Sequence, residues 1–225
     1  MALDDSYTKI LLHMDGADAS TTFTDESGKT FTRYGNAQID TAQSVFGGAS
    51  GLFDGTGDYI STPAHADLQF GTGDFTIDLR IKFNGTWGST PGTLLFSSET
   101  TGNISLSIDS TNIALGRTNV AVDASFAHGM SLNTWYHIAV ARSGNSVRSF
   151  VNGTQVGSTY DATGKSYGIV TGTGVIAGHS AAYYLNGWID EHRVSKGIAR
   201  WTANFTPPTR AYGTPAFTSE IMWFM

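Results

Sequence analysis

An unbroken alternation of apolar and polar side chains occupies residues 74–83, Asp74-Phe75-Thr76-Ile77-Asp78-Leu79-Arg80-Ile81-Lys82-Phe83. The apolar residues recur with a period of two, which is typical of a β-strand, whereas an amphipathic helix repeats about every 3.6 residues. One face of this strand must therefore lie on a core. We expect the polar residues to face solvent, as in an antiparallel sheet with one wet side.

A second pattern, of strands joined by tight turns, follows later in the chain. Residues 135–142 are mostly apolar, residues 143–145 (Ser-Gly-Asn) form a turn signal, and residues 147–151 lead back. Asn152-Gly153 comes next, and this dipeptide favours a two-residue hairpin because both central positions of a type I′ turn need positive φ. The pattern predicts a returning strand over residues 154–156.

Short strand candidates recur along the rest of the chain, with Gly, Asn, Asp or Pro between them. Many short strands at spacings of roughly 8–15 residues indicate a sandwich or a barrel. One helical turn is predicted at residues 198–201, before Pro207-Pro208. The other strand candidates are residues 8–14, 52–53, 58–61, 93–97, 103–108, 112–115, 174–178 and 188–194.

Composition favours one large all-β domain over residues 5–212. The chain has 225 residues, of which 27 are Gly and 40% are hydrophobic, so it can fill a core and supply many turns. Residues 213–225 form a tail that ends in Ser-Glu-Ile-Met-Trp-Phe-Met. Two interpretations remain open for this apolar end: a last strand or plug in the domain's own core, and a docking segment for another subunit.

Charge and cysteine content exclude several classes of partner. The net charge is -6 and no Lys/Arg cluster occurs, so we expect no nucleic-acid partner. The absence of Cys excludes disulfides and fits assembly in a reducing cytoplasm. The acidic start of the chain and the lack of a long apolar run predict no signal peptide and no membrane insertion.

Four segments together carry a family resemblance. They are residues 11–16 (LLHMDG), 51–59 (GLFDGTGDY), 135–140 (WYHIAV) and 185–194 (LNGWIDEHRV). In order and spacing they resemble the concanavalin A-like lectin/glucanase superfamily, in the laminin-G-like branch of phage tail or virion proteins and bacterial surface proteins. Residues 200–208 (RWTANFTPP) resemble the end of phage-encoded members. The resemblance implies an all-β fold, a two-sheet antiparallel jelly-roll sandwich.

The carboxylates that glucanases of this superfamily use are missing. Their Glu-x-Asp-x-(x)-Glu motif does not occur, and Asp74 and Asp78 would be ~13 Å apart along a strand. That separation exceeds the ~5–9.5 Å of glycosidase carboxyl pairs. Adjacent Asp190 and Glu191 would point to opposite faces of a strand, and no Gly-x-Ser-x-Gly or His-x-x-x-His motif occurs. We therefore expect a protein that is not an enzyme.

The resemblance also implies one structural calcium ion (Ca2+). Asp190 would join backbone carbonyls of the turns at Asp15-Gly16 and Asp54-Gly55, because Ca²⁺ takes six to eight hard oxygen ligands. The alternative is that Asp15 and Asp54 only cap their own turns.

Sugar sites combine an aromatic platform with amide or hydroxyl groups. The candidates outside the expected core are Trp87, Tyr183 and Tyr184, with Asn186 close by in sequence. His179 also falls near a loop where it can contact a ligand. The alternative for each of these residues is packing in the core or in a turn.

Three functions follow from these patterns. The first is a virion-associated attachment or decoration module, from a phage tail, capsid or fibre, that binds a glycan or host surface and is made in the host cytoplasm. The second is a purely structural virion subunit that forms homo-oligomers through its apolar end. The third and weakest is a glycoside hydrolase.

Overall fold

Two antiparallel sheets packed face to face form the body of the protein. The computed structural model describes residues 5–88, 92–179 and 183–213. Within these ranges the chain forms fifteen strands, numbered in chain order, and one short 3₁₀ helix at Ala66–Leu68. This arrangement confirms the expected two-sheet jelly-roll sandwich.

The first sheet has eight strands. They are β1 (Thr8–Leu12), β3 (Gln38–Asp40), β4 (Ser50–Asp54), β6 (Phe75–Phe83), β11 (Tyr136–Ser143), β12 (Ser146–Val151), β13 (Thr154–Asp161) and β15 (Asn186–Lys196). Their order in space is β13-β12-β11-β6-β15-β4-β3, and β1 pairs with one part of β15.

The second sheet has seven strands. They are β2 (Thr32–Tyr34), β5 (Tyr59–Pro63), β7 (Thr93–Ser98), β8 (Ile104–Ile108), β9 (Asn112–Arg117), β10 (Ala121–Ala127) and β14 (Thr173–Ile176). Their order in space is β10-β9-β8-β7-β14-β5-β2.

The core lies between the inner faces of the two sheets, as the alternation in β6 predicts. Its five apolar side chains are all buried there, and Phe75 stacks on Phe70 with 4.9 Å between ring centroids. The second sheet contributes Phe96 and the alternate residues Ile104, Leu106 and Ile108 of β8. Alternation in β8 therefore turns Ser105 and Ser107 to the outer face of the second sheet.

The expectation that the outer face of β6 is wet is wrong. Thr76 and Asp78 are fully buried on that face. Residues 198–213, here called the strap, cross it, and the Thr76 hydroxyl donates a hydrogen bond to the carbonyl of Ile198 at 3.1 Å. Local alternation identifies the face that meets the core, but it contains no information on a segment more than 100 residues away that covers the other face.

The helical turn predicted at residues 198–201 is also wrong, because the strap has no helix there. The backbone N–H of Arg200 donates to the Thr76 side chain at 2.9 Å, and the Arg200 guanidinium forms two 2.9 Å hydrogen bonds with Asp5. These contacts to other parts of the chain replace the hydrogen bonds within one segment that a helix needs.

A buried polar network lies between the strap and the first sheet. Arg193 on β15 donates to both carboxylate oxygens of Asp78 at 3.1 and 3.2 Å, and the Tyr212 hydroxyl of the strap donates to the same carboxylate. Burial acts to raise the pKa of Asp78, but Arg193 and His137 outweigh it and hold that pKa far below its usual range. A neighbouring pair extends the network, since Glu191 accepts the backbone N–H of Tyr212 at 2.9 Å and lies 2.6 Å from His13 Nδ1.

The hairpin predicted at Asn152-Gly153 is confirmed. These residues have φ of 48° and 78°, and β13 continues to Asp161, five residues beyond the predicted strand. The tail at residues 214–225, for which a plug and a docking segment were both expected, lies outside the described residues. No helix in the described part of the chain is long and apolar enough to span a membrane.

Candidate functional site

An open groove of about 640 Å³ lies on the outer face of the second sheet. Its floor comes from β7, β8 and β9, one wall from the loop between β7 and β8 together with the segment after β14, and the other wall from the β9–β10 hairpin. Ligand pockets in proteins commonly enclose about 300–1,000 Å³, so the groove has the size of a binding site. The groove lining includes Glu99, Ser105, Ser107, Asp109, Arg117 and Tyr183.

Small side chains keep the floor low. Ser105 and Ser107 of β8 and Ala114 and Gly116 of β9 line it, and all four alternate with core residues. A Cβ at Gly116 would lie 2.3 Å from the carbonyl oxygen of Ala121, so the close approach of β10 requires glycine here. Within the described chain neither serine hydroxyl has a hydrogen-bond partner, which leaves both able to bond a ligand.

Aromatic side chains form one wall. The rings of His179 and Tyr183 meet edge to face with centroids 6.4 Å apart, and His179 Nδ1 is 3.9 Å from a carboxylate oxygen of Glu99. The backbone holds this wall in place, because the Tyr183 carbonyl accepts the N–H of Leu94 at 3.1 Å. The structure therefore brings two of the expected ligand residues, His179 and Tyr183, into one groove.

The opposite wall is apolar at its rim. Val120 and Val122 are exposed there. Arg117, at the end of β9, forms a bidentate ion pair with Asp123 at 2.9 and 3.0 Å. Burial acts to raise the pKa of Asp123, but hydrogen bonds from Arg117 and Lys165 outweigh it and lower that pKa. The positive charge of Arg117 is thus already matched by a carboxylate.

Tyrosines continue beyond the aromatic wall on the same face. Tyr34 and Tyr59 stack in parallel with 4.2 Å between centroids. Tyr59 and Ser61 lie on the same face of β5. Ser61 is the cross-strand neighbour of Val175 on β14, and Val175 is in turn the neighbour of Ser97 at the groove floor. The expected residue Tyr184 packs near this pair, because a Cβ at Gly178 would meet both Tyr184 and Tyr59. Tyr184 is thus next to the groove without lining it.

The other two expected ligand residues lie elsewhere. Trp87 packs between Phe83 and His128, with centroids 4.9 and 5.1 Å away. The Asn186 amide donates to the Asn84 carbonyl at 2.9 Å and to the Thr86 hydroxyl at 3.1 Å. Neither residue lines the groove. Trp87 packs against neighbouring rings and Asn186 is hydrogen-bonded within a turn, as the alternative interpretation expected.

The acids of the groove are not arranged as a catalytic pair. Glu99 follows the end of β7, while Asp109 follows the end of β8, and these antiparallel neighbours pair Thr93 with Ile108 and Ser97 with Ser105. The Cα atoms of the two acids are therefore at opposite ends of the strands, ~20 Å apart at ~3.3 Å per residue. Glycosidase pairs need ~5–9.5 Å.

Two of the three expected calcium ligands, Asp15 and Asp190, lie away from the groove, next to the turn at residues 45–48. Asp190 is fully buried, and its Oδ2 accepts the N–H groups of Val45 and Phe46 at 2.7 and 3.0 Å. Its Oδ1 has no hydrogen-bond partner in the described structure. The Asp15 carboxylate lies against Gly47 of the same turn.

Electrostatics at this turn favours a cation. Burial, together with the charges of Glu191 and Asp15, raises the pKa of Asp190 to about 7. Burial also raises the pKa of Asp15. Asp54 is apart from them, since its strand neighbour on β15 is Asn186, four residues before Asp190. The Asp54 carboxylate caps its own turn by accepting the backbone N–H of Thr56. Among the described residues no three His, Cys, Asp or Glu side chains gather at one point, so backbone carbonyls would have to complete a site.

Two packed antiparallel sheets with an open groove on one of them define a jelly-roll sandwich of the lectin type. The laminin G-like family model of the concanavalin A-like lectin/glucanases superfamily matches residues 54–200. The chain therefore belongs to this superfamily, which confirms the resemblance seen in the sequence. A comparison with curated protein sequences finds no match.

Solved structures share the fold at low sequence identity. Domain 4 of AbnA, a GH43 extracellular arabinanase from Geobacillus stearothermophilus, in complex with arabinotriose, is 16% identical with a TM-score of 0.64, and the match covers 85% of this chain and 93% of that one. The binding domain of Paraclostridial Mosquitocidal Protein 1 is 13% identical with a TM-score of 0.62, and coverage is 85% and 49%. The receptor binding domain of botulinum neurotoxin C/D mosaic serotype is 14% identical with a TM-score of 0.64, and coverage is 86% and 49%. The chain thus spans about half the length of the two toxin domains.

Proposed function

We propose that this protein is a glycan-binding module without catalytic activity, and that the glycan lies in the groove on the second sheet. The observation that carries this proposal is the groove itself, in which free serine hydroxyls on a low floor face an aromatic wall. A sugar presents both an apolar C–H face and many hydroxyl groups, so it needs this combination of an aromatic ring and small polar groups.

The similar structures support the proposal. The arabinanase domain is in complex with arabinotriose, and the toxin domains are binding domains, one of them for a receptor. The separation of Glu99 and Asp109 favours binding over hydrolysis, because the two-carboxylate mechanism needs both acids at one glycosidic bond.

A groove-filling substitution tests this function. Ser107→Trp places a large ring on the floor, and we expect it to weaken binding of arabinotriose, or of the tightest ligand on a neutral glycan array, at least tenfold by calorimetry. A tenfold loss corresponds to about 1.4 kcal/mol. Ser158→Trp is the matched control, because Ser158 is exposed on β13 in the other sheet. Equal affinities of the two variants, or no glycan binding by the unaltered protein, would refute the proposal.

We propose further that the module serves a phage virion as an attachment or decoration protein. The support is the resemblance of residues 200–208 to phage-encoded members, and these residues lie in the strap. Mass spectrometry of purified virions from a producing host should detect the chain at structural-protein abundance. Its absence from virions would exclude this role, and a stable homo-oligomer that binds no glycan would favour the purely structural alternative.

We also propose that a structural calcium ion is held by Asp15 and Asp190, with backbone carbonyls as further ligands. The unpartnered Oδ1 of buried Asp190 supports this, because a carboxylate oxygen without a hydrogen bond is unfavourable unless a cation or proton satisfies it. Bound calcium would supply the positive charge that these acids lack and would tie the start of the chain to β15.

A further inference from the structure

The ionisable groups that line the groove do not favour an acidic ligand. Apart from the Tyr183 phenol, the described lining contains four of them: Glu99, Asp109, Arg117 and His179. Asp123 already pairs with Arg117 through two hydrogen bonds, and Lys165 lies 3.2 Å from the same aspartate. Because Arg117 is already matched, the carboxylates of Glu99 and Asp109 give the groove an acidic character.

The two acids occupy opposite ends of the floor. Asp109 accepts the N–H groups of Thr111 and Asn112 at 2.7 and 2.8 Å, which lowers its pKa against the opposing effect of burial and keeps it ionised. Glu99 stands beside the aromatic wall at the other end, with its side chain 40% exposed. A ligand that fills the groove therefore meets a carboxylate at each end.

Carboxylates accept hydrogen bonds but cannot donate them. A sugar hydroxyl can donate to Glu99 or Asp109, and hydrogen bonds to an ionised acceptor are about twice as strong as neutral ones. The anionic group of an acidic sugar would instead lose its hydration water beside carboxylates of the same charge, and the groove offers no unmatched cation to bind it. Both effects are unfavourable at short range in a partly desolvated groove.

The floor is also wide enough for more than one sugar. Its residues come from three adjacent strands and its far wall from a fourth, and strands spaced ~4.8 Å apart give a width of ~14 Å across the sheet. The Tyr34–Tyr59 stack continues the surface beyond the aromatic wall.

On these grounds we propose that the groove takes a segment of an uncharged glycan chain and rejects glycans that carry carboxylate, sulfate or phosphate groups. This inference rests on the proposed glycan-binding function and adds the chemical class of the ligand. Glu99 and Asp109 are the residues that set the selectivity.

Matched neutral and acidic probes test the selectivity. Lactose is compared with 3′-sialyllactose, and methyl-esterified polygalacturonate with polygalacturonate, by calorimetry at low salt. For each pair in which binding is detected, we expect the neutral probe to bind at least tenfold more tightly than the acidic probe. The Glu99→Gln/Asp109→Asn variant should reduce that ratio to within about threefold, and the single Glu99→Gln variant should reduce it in part if the double variant is unstable.

Asp161→Asn is the control for the loss of charge. Asp161 caps a surface turn through Thr163 in the same way that Asp109 caps its turn through Thr111, but it lies away from the groove. The control should leave the ratio unchanged. Tighter binding of the acidic members, or an unchanged ratio in the Glu99 and Asp109 variants, overturns the inference while leaving glycan binding intact. Failure of every probe to bind overturns the proposed function as well.

Discussion

The pKa values of individual carboxyl groups in this protein depend on which charged or hydrogen-bonding groups contact them. Asp78 and Asp190 are both fully buried in the first sheet, yet the pKa of Asp78 is lowered and the pKa of Asp190 is raised to about 7. Arg193 pairs with Asp78, whereas Asp190 receives only two backbone N–H groups and faces Asp15 and Glu191. The sequence shows both residues as polar positions within strands, and it does not show which of them receives a cation.

The raised pKa of Asp190 predicts that stability falls from acidic to neutral pH when calcium is removed. Unfolded Asp has the lower pKa, so the folded form holds an extra proton between about pH 4 and pH 7. The free energy of unfolding should therefore fall as pH rises through this window and remain low above it. In EDTA at pH 8, Asp190→Asn should melt higher than the unaltered protein by at least ~2–4 °C, which corresponds to ~1 kcal/mol for a chain of this size.

In calcium the unaltered protein should melt at a higher temperature than Asp190→Asn. At 100 times its Kd, calcium would stabilise the unaltered protein by about 2.7 kcal/mol, or roughly 5–11 °C, and Asp190→Asn should lose most of that gain. Asp54→Asn is the control and should respond to calcium like the unaltered protein, because Asp54 lies apart from Asp15 and Asp190. A melting temperature that does not change between EDTA and calcium would exclude the calcium site.

Among the strands, those with a strong local signal are the ones that the sequence predicts. β6, β11, β12 and the Asn152-Gly153 hairpin agree with the alternation and the turn residues. β2 and β3 have three residues each, too few to establish a period, and β10 has four exposed positions and little apolar alternation. These strands form because neighbouring strands offer unpaired edges, which is information from the tertiary structure.

The contact between the β12–β13 turn and the strap predicts the effect of one glycine substitution. Gly153 and Gly144 both have positive φ, of 78° and 57°, so alanine strains the backbone at either site. A Cβ at Gly153 would also lie 1.9 Å from the carbonyl oxygen of Phe205 in the strap, whereas a Cβ at Gly144 would meet nothing within 4 Å. Gly153→Ala should therefore lower the free energy of unfolding by about 1–3 kcal/mol more than Gly144→Ala, a range typical of overpacking.

Urea denaturation measures this difference through the midpoint at constant m-value. Equal losses in the two variants would mean that the strap moves away from the turn at little cost in free energy.

At the scale of the whole molecule, the sandwich follows from the sequence and the position of its groove does not. Alternation, turn spacing and four family segments are enough to predict two sheets. The groove depends on which outer face stays open, and that is decided by the strap, which closes the first sheet through Asp78, Arg193 and Tyr212. The sequence indicates His179 and Tyr183 as aromatic residues near a loop, but it gives no indication of Ser105, Ser107, Glu99 and Asp109. Their small or acidic side chains in β8 and its flanking turns carry no signal beyond ordinary solvent exposure.

The strap has a consequence for how the molecule can be displayed. Asp5 is hydrogen-bonded to Arg200, and Tyr212 lies over Asp78, so both described ends of the chain are on the back of the sandwich while the groove is on its front. A support, a fusion partner or a larger particle joined at either end would hold the back and point the groove outward. Many copies mounted on one particle would then present their grooves in the same direction, and weak contacts with a repetitive polymer would add up to firm adhesion.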